Sequence, residues 1–265
     1  MQLPQIETIA AVSIDTTLKN DLRDMAQIFV GNEVAPGWFG WAIPLGDGSS
    51  RIGIGSDAKH TSIKPRILLE QLLHLFPAQL AGAKMENFSG GFIPLYKNTA
   101  QYRESISDNV MLVGDAAGQV KPTSGGGIYT GLRAAESAAK VAIMAMNDGD
   151  FSSNSLQKYE DKWREDLEDE LERGNDVREM FLTLNDKQLQ RVVQFLGLPG
   201  LRQIIDRHGD IDYQSNVFAQ LVRVAPTLKS MLALPSILPD RWIKMLASDR
   251  NEPGTKETEF TALSR

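Results

Sequence analysis

The residues best suited to chemistry lie together between positions 109 and 129, in the order NVMLVGDAAGQVKPTSGGGIY. An apolar run ends in a Gly-Asp-Ala-Ala turn, a loop with one proline follows, and three glycines open a helix. These glycines leave backbone N–H donors exposed at the helix entrance, where the helix dipole favours negative charge. Asp115 adds a carboxylate that accepts hydrogen bonds from hydroxyl groups. The two features together predict a site for a polyhydroxylated cofactor that carries phosphate.

Three consecutive glycines by themselves more often form a turn that leads into a core helix than a cofactor site. What distinguishes this segment is the full combination of an apolar strand at residues 109–113, the Gly-Asp-Ala-Ala turn, the proline and the triple glycine. The helix that follows is expected to run to about Met146. Its alanines at 134, 135, 138, 139 and 142 predict a thin surface that packs closely against a neighbouring element.

The first part of the chain is predicted to form a sheet. Residues 6–12, 27–31, 38–44 and 51–55 are short, β-rich runs separated by glycine, proline and aspartate. Phe39, Trp41 and Ile43 alternate with smaller residues, which indicates one bulky sheet face. A Gly-Asp-Gly turn at 46–48 predicts an antiparallel hairpin between the last two strands. Residues 64–76 have the spacing of a helix, and residues 88–95 are expected to be extended.

After position 155 the pattern becomes helical. Apolar residues recur every three or four positions from Leu156 to Phe181, which predicts one long amphipathic helix whose charged residues form a solvated face. Further helices are expected at 187–196, 200–207 and 217–234. The fold class is therefore α/β or α+β. The expected units are an antiparallel-sheet region over 1–100, a cofactor-binding region over 101–150 and a helical region over 151–265.

Composition excludes several classes of function. The 265 residues include no cysteine, which removes disulfides, thiolate metal sites and cysteine nucleophiles. His60, His74 and His208 lack the spacing of metal ligands, so no metal site is expected. The net charge of −6 makes nucleic-acid binding an unfavourable hypothesis. With no secretory signal pattern at residues 1–7, a cytoplasmic location is the expectation.

The segment from 109 to 129 resembles the second FAD-binding motif of the flavoprotein group that includes p-hydroxybenzoate hydroxylase and the geranylgeranyl reductases. A second stretch, PGWFGWAIP at 36–44, is similar to the aromatic substrate-domain motif of the geranylgeranyl reductases, Tyr-x-Trp-x-Phe-Pro. Trp41 and Pro44 match that motif, while Phe39 and Ile43 replace its tyrosine and phenylalanine. The missing tyrosine hydroxyl removes a polar group but leaves the packing role. The resemblance covers residues 29–181 and extends less closely over the C-terminal helices.

This resemblance implies FAD as the cofactor. Asp115 would bind the ribityl hydroxyls, the turn would lie near the pyrophosphate, and the glycine-rich helix entrance would face the N1/C2 carbonyl edge of the flavin. The helix dipole would there stabilise the negative charge of the reduced flavin. The implied cofactor-binding residues are Gly114, Asp115, Ala116, Ala117, Pro122, Gly125, Gly126, Gly127 and Ile128.

It also implies an apolar tunnel for a prenyl chain. Aromatic residues would line the tunnel, and two glycines would let the chain approach the flavin. The implied substrate-binding residues are Phe39, Trp41, Pro44, Gly90, Gly91 and Phe92. Ordinary core packing remains the alternative for each aromatic residue.

One departure concerns the other half of FAD. Members of this group begin with a strand and a Gly-x-Gly-x-x-Gly loop that holds the ADP moiety, and this sequence does not. The stretch GIGSDA at 53–58 imitates that loop, but residues 59–65 do not form the required helix. The expectation is that the sequence is the C-terminal portion of a longer enzyme and opens inside the substrate domain.

The first hypothesis is an FAD-dependent reductase of C=C bonds in geranylgeranyl chains, acting in isoprenoid or archaeal-type membrane lipid biosynthesis. The catalytic residues and the electron donor, NAD(P)H or a ferredoxin-like protein, stay open. A lipid substrate implies peripheral membrane contact, for which residues 232–242 are one candidate, although core packing is the favoured explanation for them. Two alternatives are a flavin-dependent monooxygenase or halogenase, and a non-catalytic fragment that lacks the ADP-binding half.

Overall fold

A computed structural model describes residues 7–18, 25–96 and 104–223. Five strands form one antiparallel sheet in the order β2-β3-β4-β1-β5. The strands are β1 (Thr8–Thr16), β2 (Gln27–Val30), β3 (Phe39–Pro44), β4 (Ser50–Asp57) and β5 (Phe88–Pro94). The predicted strands and the hairpin between β3 and β4 are confirmed.

One face of the sheet is covered by α1 (Pro65–Leu75), which begins with a proline in its first turn. Gly40 and Ala42 point to this face, and a Cβ at Gly40 would lie 3.0 Å from a methyl group of Leu72. The small residues of β3 therefore admit the helix. The buried cluster on this side contains Ile14, Phe29, Ala35, Ala42, Ile52, Ile54, Leu68, Leu69, Leu72 and Leu80. Each buried Ile or Leu stabilises the fold by roughly 1.5–3 kcal/mol.

The opposite face carries the bulky residues predicted from the alternation, Phe39, Trp41 and Ile43, which by register point away from α1. The Trp41 ring lies over Gly53, where a Cβ would meet it at 2.2 Å. Gly53 and Gly55 both lie inside β4, which pairs with a strand on either side. The GIGSDA stretch is therefore a sheet strand and not a dinucleotide loop, as expected.

The helical part is built on two long helices, α2 (Ile128–Asp148) and α3 (Ser153–Leu182). They pack through a buried cluster that includes Ala134, Ala138, Tyr159, Trp163 and Leu167. Short strands β6 (Ile106–Ser107) and β7 (Val110–Met111) lie beside them, followed by a 3₁₀ turn, Gly114–Ala117. The remaining helices are α4 (Asp186–Leu196), α5 (Pro199–His208) and α6 (Gln214–Arg223). Residues 232–242 lie outside the described residues.

Three expectations about this part need correction. The strand expected at 109–113 is only Val110–Met111, because its described partner β6 offers just two residues for pairing. The alanines of α2 do not form one packing surface, since Ala134 and Ala138 are buried whereas Ala135 and Ala139 are exposed. The charged face of α3 is not wholly solvated. Glu160 on that face is buried, accepts a hydrogen bond from the backbone N of Ser105 at 2.9 Å and pairs with Arg164.

Helix α6 is joined to α3 through a half-buried carboxylate. Glu170 accepts hydrogen bonds from the backbone N of Ser215, at 2.9 Å, and from its hydroxyl. Burial raises the pKa of Glu170 above its ordinary value of 4.5, although the bonds from Ser215 act in the opposite direction.

This raised pKa predicts a pH dependence of stability. Just above pH 4.5 the folded chain holds the Glu170 proton more often than the unfolded chain does. Ionisation of Glu170 therefore lowers the free energy of unfolding as the pH rises above 4.5. Glu170→Gln removes the titration, so the difference in unfolding free energy between variant and parent should grow in the variant's favour as the pH rises above 4.5. Urea unfolding at several pH values measures this, and a pH-independent difference would contradict it.

Candidate flavin and apolar-ligand site

The 3₁₀ turn and the entrance of α2 face each other across a narrow gap. The Asp115 carboxylate is exposed at this gap, and a Cβ added to Gly127 would lie 2.9 Å from Asp115 Oδ1. Glycine at 127 therefore leaves room for the carboxylate at the helix entrance. We call the turn (Gly114–Ala117) together with Gly125, Gly126, Gly127 and Ile128 the cradle.

The entrance of α2 has no cap from its own N-cap residue. That residue is Gly127, which has no side chain to accept a hydrogen bond from the first turn. The first N–H groups of a helix have no partner inside the helix, and the dipole makes this end electropositive. The cradle therefore presents N–H donors beside a carboxylate acceptor, which suits a ligand with both carbonyl or phosphate oxygens and hydroxyl groups.

A buried glutamine, which the sequence did not single out, fixes the turn of the cradle. Gln119 is fully buried, and its Oε1 accepts a hydrogen bond from the backbone N of Gly114 at 2.7 Å. Its Nε2 donates to the Tyr159 hydroxyl at 3.0 Å, and that hydroxyl donates to the Leu112 carbonyl at 2.6 Å. This chain of bonds ties the turn to α3. In the sequence, only the position of Gln119 inside the glycine-rich segment could have indicated this role.

The loop between the turn and α2 is closed by backbone bonds. Lys121 N donates to the Gly126 carbonyl at 3.1 Å, and Gly125 N donates to the Lys121 carbonyl at 2.9 Å. Gly125 has φ +71°, which other residues rarely adopt. A Cβ there would lie 3.2 Å from Trp38 and 3.1 Å from Ile93. The loop thus rests on the aromatic face of the sheet. Pro122 is buried and lies against Gly174 of α3.

A cavity of about 350 Å³ opens beside this loop, between the aromatic face of the sheet and the C-terminal part of α3. Ile28, Val30 and Phe39 line it from the sheet, and Thr123 and Ser124 line it from the loop. The other residues around it are Gly31, Asn32, Ala35, Gly37, Trp38, Val177, Arg178, Phe181, Leu182 and Leu189. Most of these side chains are apolar, so the cavity suits an apolar ligand. The wall from α3 and α4 was not found from the sequence.

The six predicted substrate residues do not all meet at this cavity. Phe39 lines it. Trp41 is on the same face but lies over Gly53, and Gly91 is also on that face, with open space where a Cβ would be. Phe92, Gly90 and Pro44 belong by register to the face of α1. Phe92 is 74% exposed there, so the structure separates it from the aromatic residues with which it was grouped.

One buried cation is part of the cavity wall. The guanidinium of Arg178 donates to the Gly37 carbonyl at 2.8 Å and to Asp57 Oδ2 at 3.1 Å, and it lies over the Trp38 ring. Burial lowers the pKa of Arg178, while Asp57 acts against that change. Arg178 therefore joins α3 to the turn that precedes β3 and holds Trp38 and Phe39 at the cavity.

Arg178→Met is expected to lower the free energy of unfolding by about 3 kcal/mol, because it leaves the Asp57 carboxylate buried without its partner. The double variant R178M/D57N should recover part of this loss. Arg51→Met is the matched control, since its pair with Asp15 is exposed and should contribute about 1 kcal/mol or less. Urea unfolding of Arg178→Met, R178M/D57N and Arg51→Met measures the free energy of unfolding of each variant. Equal losses for Arg178→Met and Arg51→Met would contradict the assigned role of Arg178.

The described residues contain no group of three or more His, Cys, Asp or Glu that could hold a metal ion. None of the helices in residues 7–18, 25–96 and 104–223 is long and apolar enough to cross a membrane.

Comparisons with known proteins support the resemblance seen in the motifs. The digeranylgeranylglycerophospholipid reductase of Methanothrix thermoacetophila is 31% identical over 170 residues, which are 64% of this chain and 42% of that protein. Digeranylgeranylglycerophospholipid reductase 1 of Methanopyrus kandleri is 34% identical over 168 residues, which are 62% of this chain and 42% of that protein. This chain is related to the geranylgeranyl reductase family. It spans less than half the length of these two relatives.

The fold agrees with that relationship. A crystal structure of a geranylgeranyl bacteriochlorophyll reductase-like protein from Thermoplasma acidophilum superposes with a TM-score of 0.70 at 24% identity. The match covers 85% of this chain and 55% of that one. No protein-family model matches the chain. The α/β fold class, with its antiparallel sheet and helical C-terminal region, is thus shared with a geranylgeranyl reductase-like protein.

Proposed function

We propose that this chain forms the catalytic half of an FAD-dependent oxidoreductase that reduces C=C bonds of geranylgeranyl chains in membrane lipid biosynthesis. The observation that carries the proposal is the position of the apolar cavity next to the cradle. Thr123 and Ser124 line the cavity, and the next residue, Gly125, belongs to the cradle. A cofactor in the cradle and an alkene in the cavity would therefore be neighbours. The names of the relatives agree with such a substrate.

The residues of the cradle fit a flavin. FAD, once reduced by an electron donor, would supply the hydride for the alkene, and a proton would be added from the protein or from water. Asp115 would accept hydrogen bonds from the ribityl hydroxyls, and the backbone of Gly114, Ala116 and Ala117 would lie near the pyrophosphate. The N–H groups of Gly127 and Ile128 would donate to the carbonyl edge of the ring, because the N–H groups of Gly125 and Gly126 are already bonded within the loop, to the Lys121 carbonyl and the Ser124 hydroxyl. These N–H groups lie at the positive end of the α2 dipole, which favours negative charge at that edge of the ring.

The cavity would hold the prenyl chain and exclude water. Phe39 and the apolar residues of α3 and α4 offer no hydrogen bonds, so binding would rest on the burial of apolar surface. Trp41, Pro44, Gly90, Gly91 and Phe92 lie outside this cavity lining. We retain only Gly91 among them as a candidate for contact, because its side of the sheet is open beside the loop.

An anaerobic turnover experiment tests the proposal. The chain is incubated with FAD, with dithionite as the electron source and with a digeranylgeranyl glycerophospholipid, and the lipid is analysed by mass spectrometry. The proposal predicts products with added hydrogen. Oxygen-dependent hydroxylation or halogenation of an aromatic substrate would instead favour the monooxygenase or halogenase alternative. Dithionite leaves open whether NAD(P)H or a ferredoxin-like protein is the natural donor, and a peripheral contact with the membrane stays a proposal.

One observation favours the alternative that the chain is not an enzyme by itself. Helix α2 carries an apolar stripe whose members are four, eleven and three residues apart, which places them on one face of the helix. They are Ile128, Leu132, Ile143 and Met146, and all four side chains are exposed. The stripe begins at the cradle, so further polypeptide on it would adjoin the cofactor and could bind its ADP half. FAD that stays with the isolated chain through gel filtration would count against this alternative.

A further inference from the structure

The segment that joins α5 to α6 crosses the outer side of the glycine-rich loop. Residues 211–215, which we call the strap, contact the loop or the first turn of α2 at three successive positions. The turn of the strap is itself fixed, because Asp210 Oδ1 accepts hydrogen bonds from the backbone N of Asp212 at 2.7 Å and of Tyr213 at 3.1 Å.

The first contact is made by a buried lysine. Lys121 is 6% exposed, and its Nζ donates to the Ile211 carbonyl at 2.6 Å and to Asp212 Oδ1 at 2.8 Å. Its stem runs beneath the cradle, where a Cβ at Gly126 would lie 2.9 Å from Lys121 Cε. A buried ammonium group is costly unless it is paired and hydrogen-bonded. The position of Lys121, whose backbone closes the loop, therefore depends on the strap.

The other two contacts follow directly. The Thr123 hydroxyl donates to Gln214 Oε1, and the hydroxyls of Tyr129 and Tyr213 lie 3.1 Å apart with their rings edge to face. Ser215 is held by Glu170 of α3, as described above. The strap is thus bonded on one side to the loop and on the other to the long helix.

We propose that the strap is a positioning element of the flavin site, with Asp212 and Gln214 holding the glycine-rich loop in the conformation that receives the cofactor. This inference rests on the proposed flavin site. It extends that site to residues that do not themselves line the cavity. The consequence is that flavin affinity depends on contacts made by the α5–α6 segment.

Hydrogen exchange of the chain without flavin and FAD titration of the same variants test the strap. In D212A/Q214A, amides of residues 119–127 should exchange about tenfold faster than in the parent, and the Kd for FAD should rise about tenfold. Asp206→Ala is the matched control, because this neighbouring carboxylate pairs within α5 with Arg202. It should behave as the parent does. If D212A/Q214A does not fold, Asp212→Asn keeps the side-chain shape and should show the same changes to a smaller degree.

Two results would overturn the proposal. One is unchanged exchange at 119–127 while exchange in α5 and α6 rises. The other is unchanged FAD affinity despite faster exchange of the loop. A parent chain that binds no FAD would contradict the proposed function itself, whereas the exchange comparison would still decide whether the strap restrains the loop.

Discussion

Asp115→Ala is expected to weaken FAD binding by roughly 10- to 100-fold, the loss typical of hydrogen bonds to a charged group. The carboxylate is exposed at the gap and in contact with the entrance of α2, so its removal should disturb the ligand more than the fold. Quenching of flavin fluorescence on titration measures the affinity. An unchanged Kd would show that FAD does not use this carboxylate.

Gly127→Ala tests the same gap from the other side. The residue has φ −114°, which alanine adopts without strain, yet the added methyl group would lie 2.9 Å from Asp115 Oδ1. The carboxylate must then move, and we expect FAD affinity to fall about tenfold with little change in stability. Gly200→Ala is the matched control, because Gly200 also lies at the start of a helix, α5, but a Cβ there would meet nothing within 4 Å. Equal effects of the two substitutions on FAD affinity would contradict the assigned gap.

Leu189→Trp is expected to weaken binding of a prenyl chain by at least about tenfold, because the larger side chain occupies part of the 350 Å³ cavity. Affinity for FAD should stay as in the parent, since Leu189 belongs to α4 and not to the cradle. Geranylgeraniol is a suitable probe, and quenching of tryptophan fluorescence reports it because Trp38 lines the cavity.

Val193→Trp is the control for this substitution. Val193 is one turn further along α4, is exposed, and does not line the cavity. It adds the same side chain to the same helix, so it should leave geranylgeraniol binding unchanged. If Leu189→Trp and Val193→Trp bind the probe equally well, the cavity is not the site of the prenyl chain.

The elements of this fold were predictable because their signals are local. The alternation of Phe39, Trp41 and Ile43 predicted the aromatic sheet face, and three- and four-residue spacing from Leu156 to Phe181 predicted α3. The imitation dinucleotide loop was also recognised locally, from the missing helix after Gly55. In each case a short window contains the residues that decide the structure.

What could not be predicted depends on contacts between distant parts of the chain. Phe92 was grouped with Phe39, but the pairing register of β5 with β1 places it on the face of α1. Burial of Glu160 depends on Ser105, 55 positions earlier. Arg178 reaches Gly37 across 141 positions, and a periodic pattern on α3 does not reveal that partner. Sequence therefore located the cradle, whereas the second wall of the cavity required the structure.

The central claim is that the 3₁₀ turn and the mouth of α2 receive a flavin, and amide chemical shifts test it residue by residue. In a ¹⁵N-labelled chain titrated with FAD, we expect the largest shifts at Gly114–Ala117 and at residues 125–128, with smaller changes at Phe39 across the cavity. Shifts confined to other surfaces, or none at saturating FAD, would contradict it.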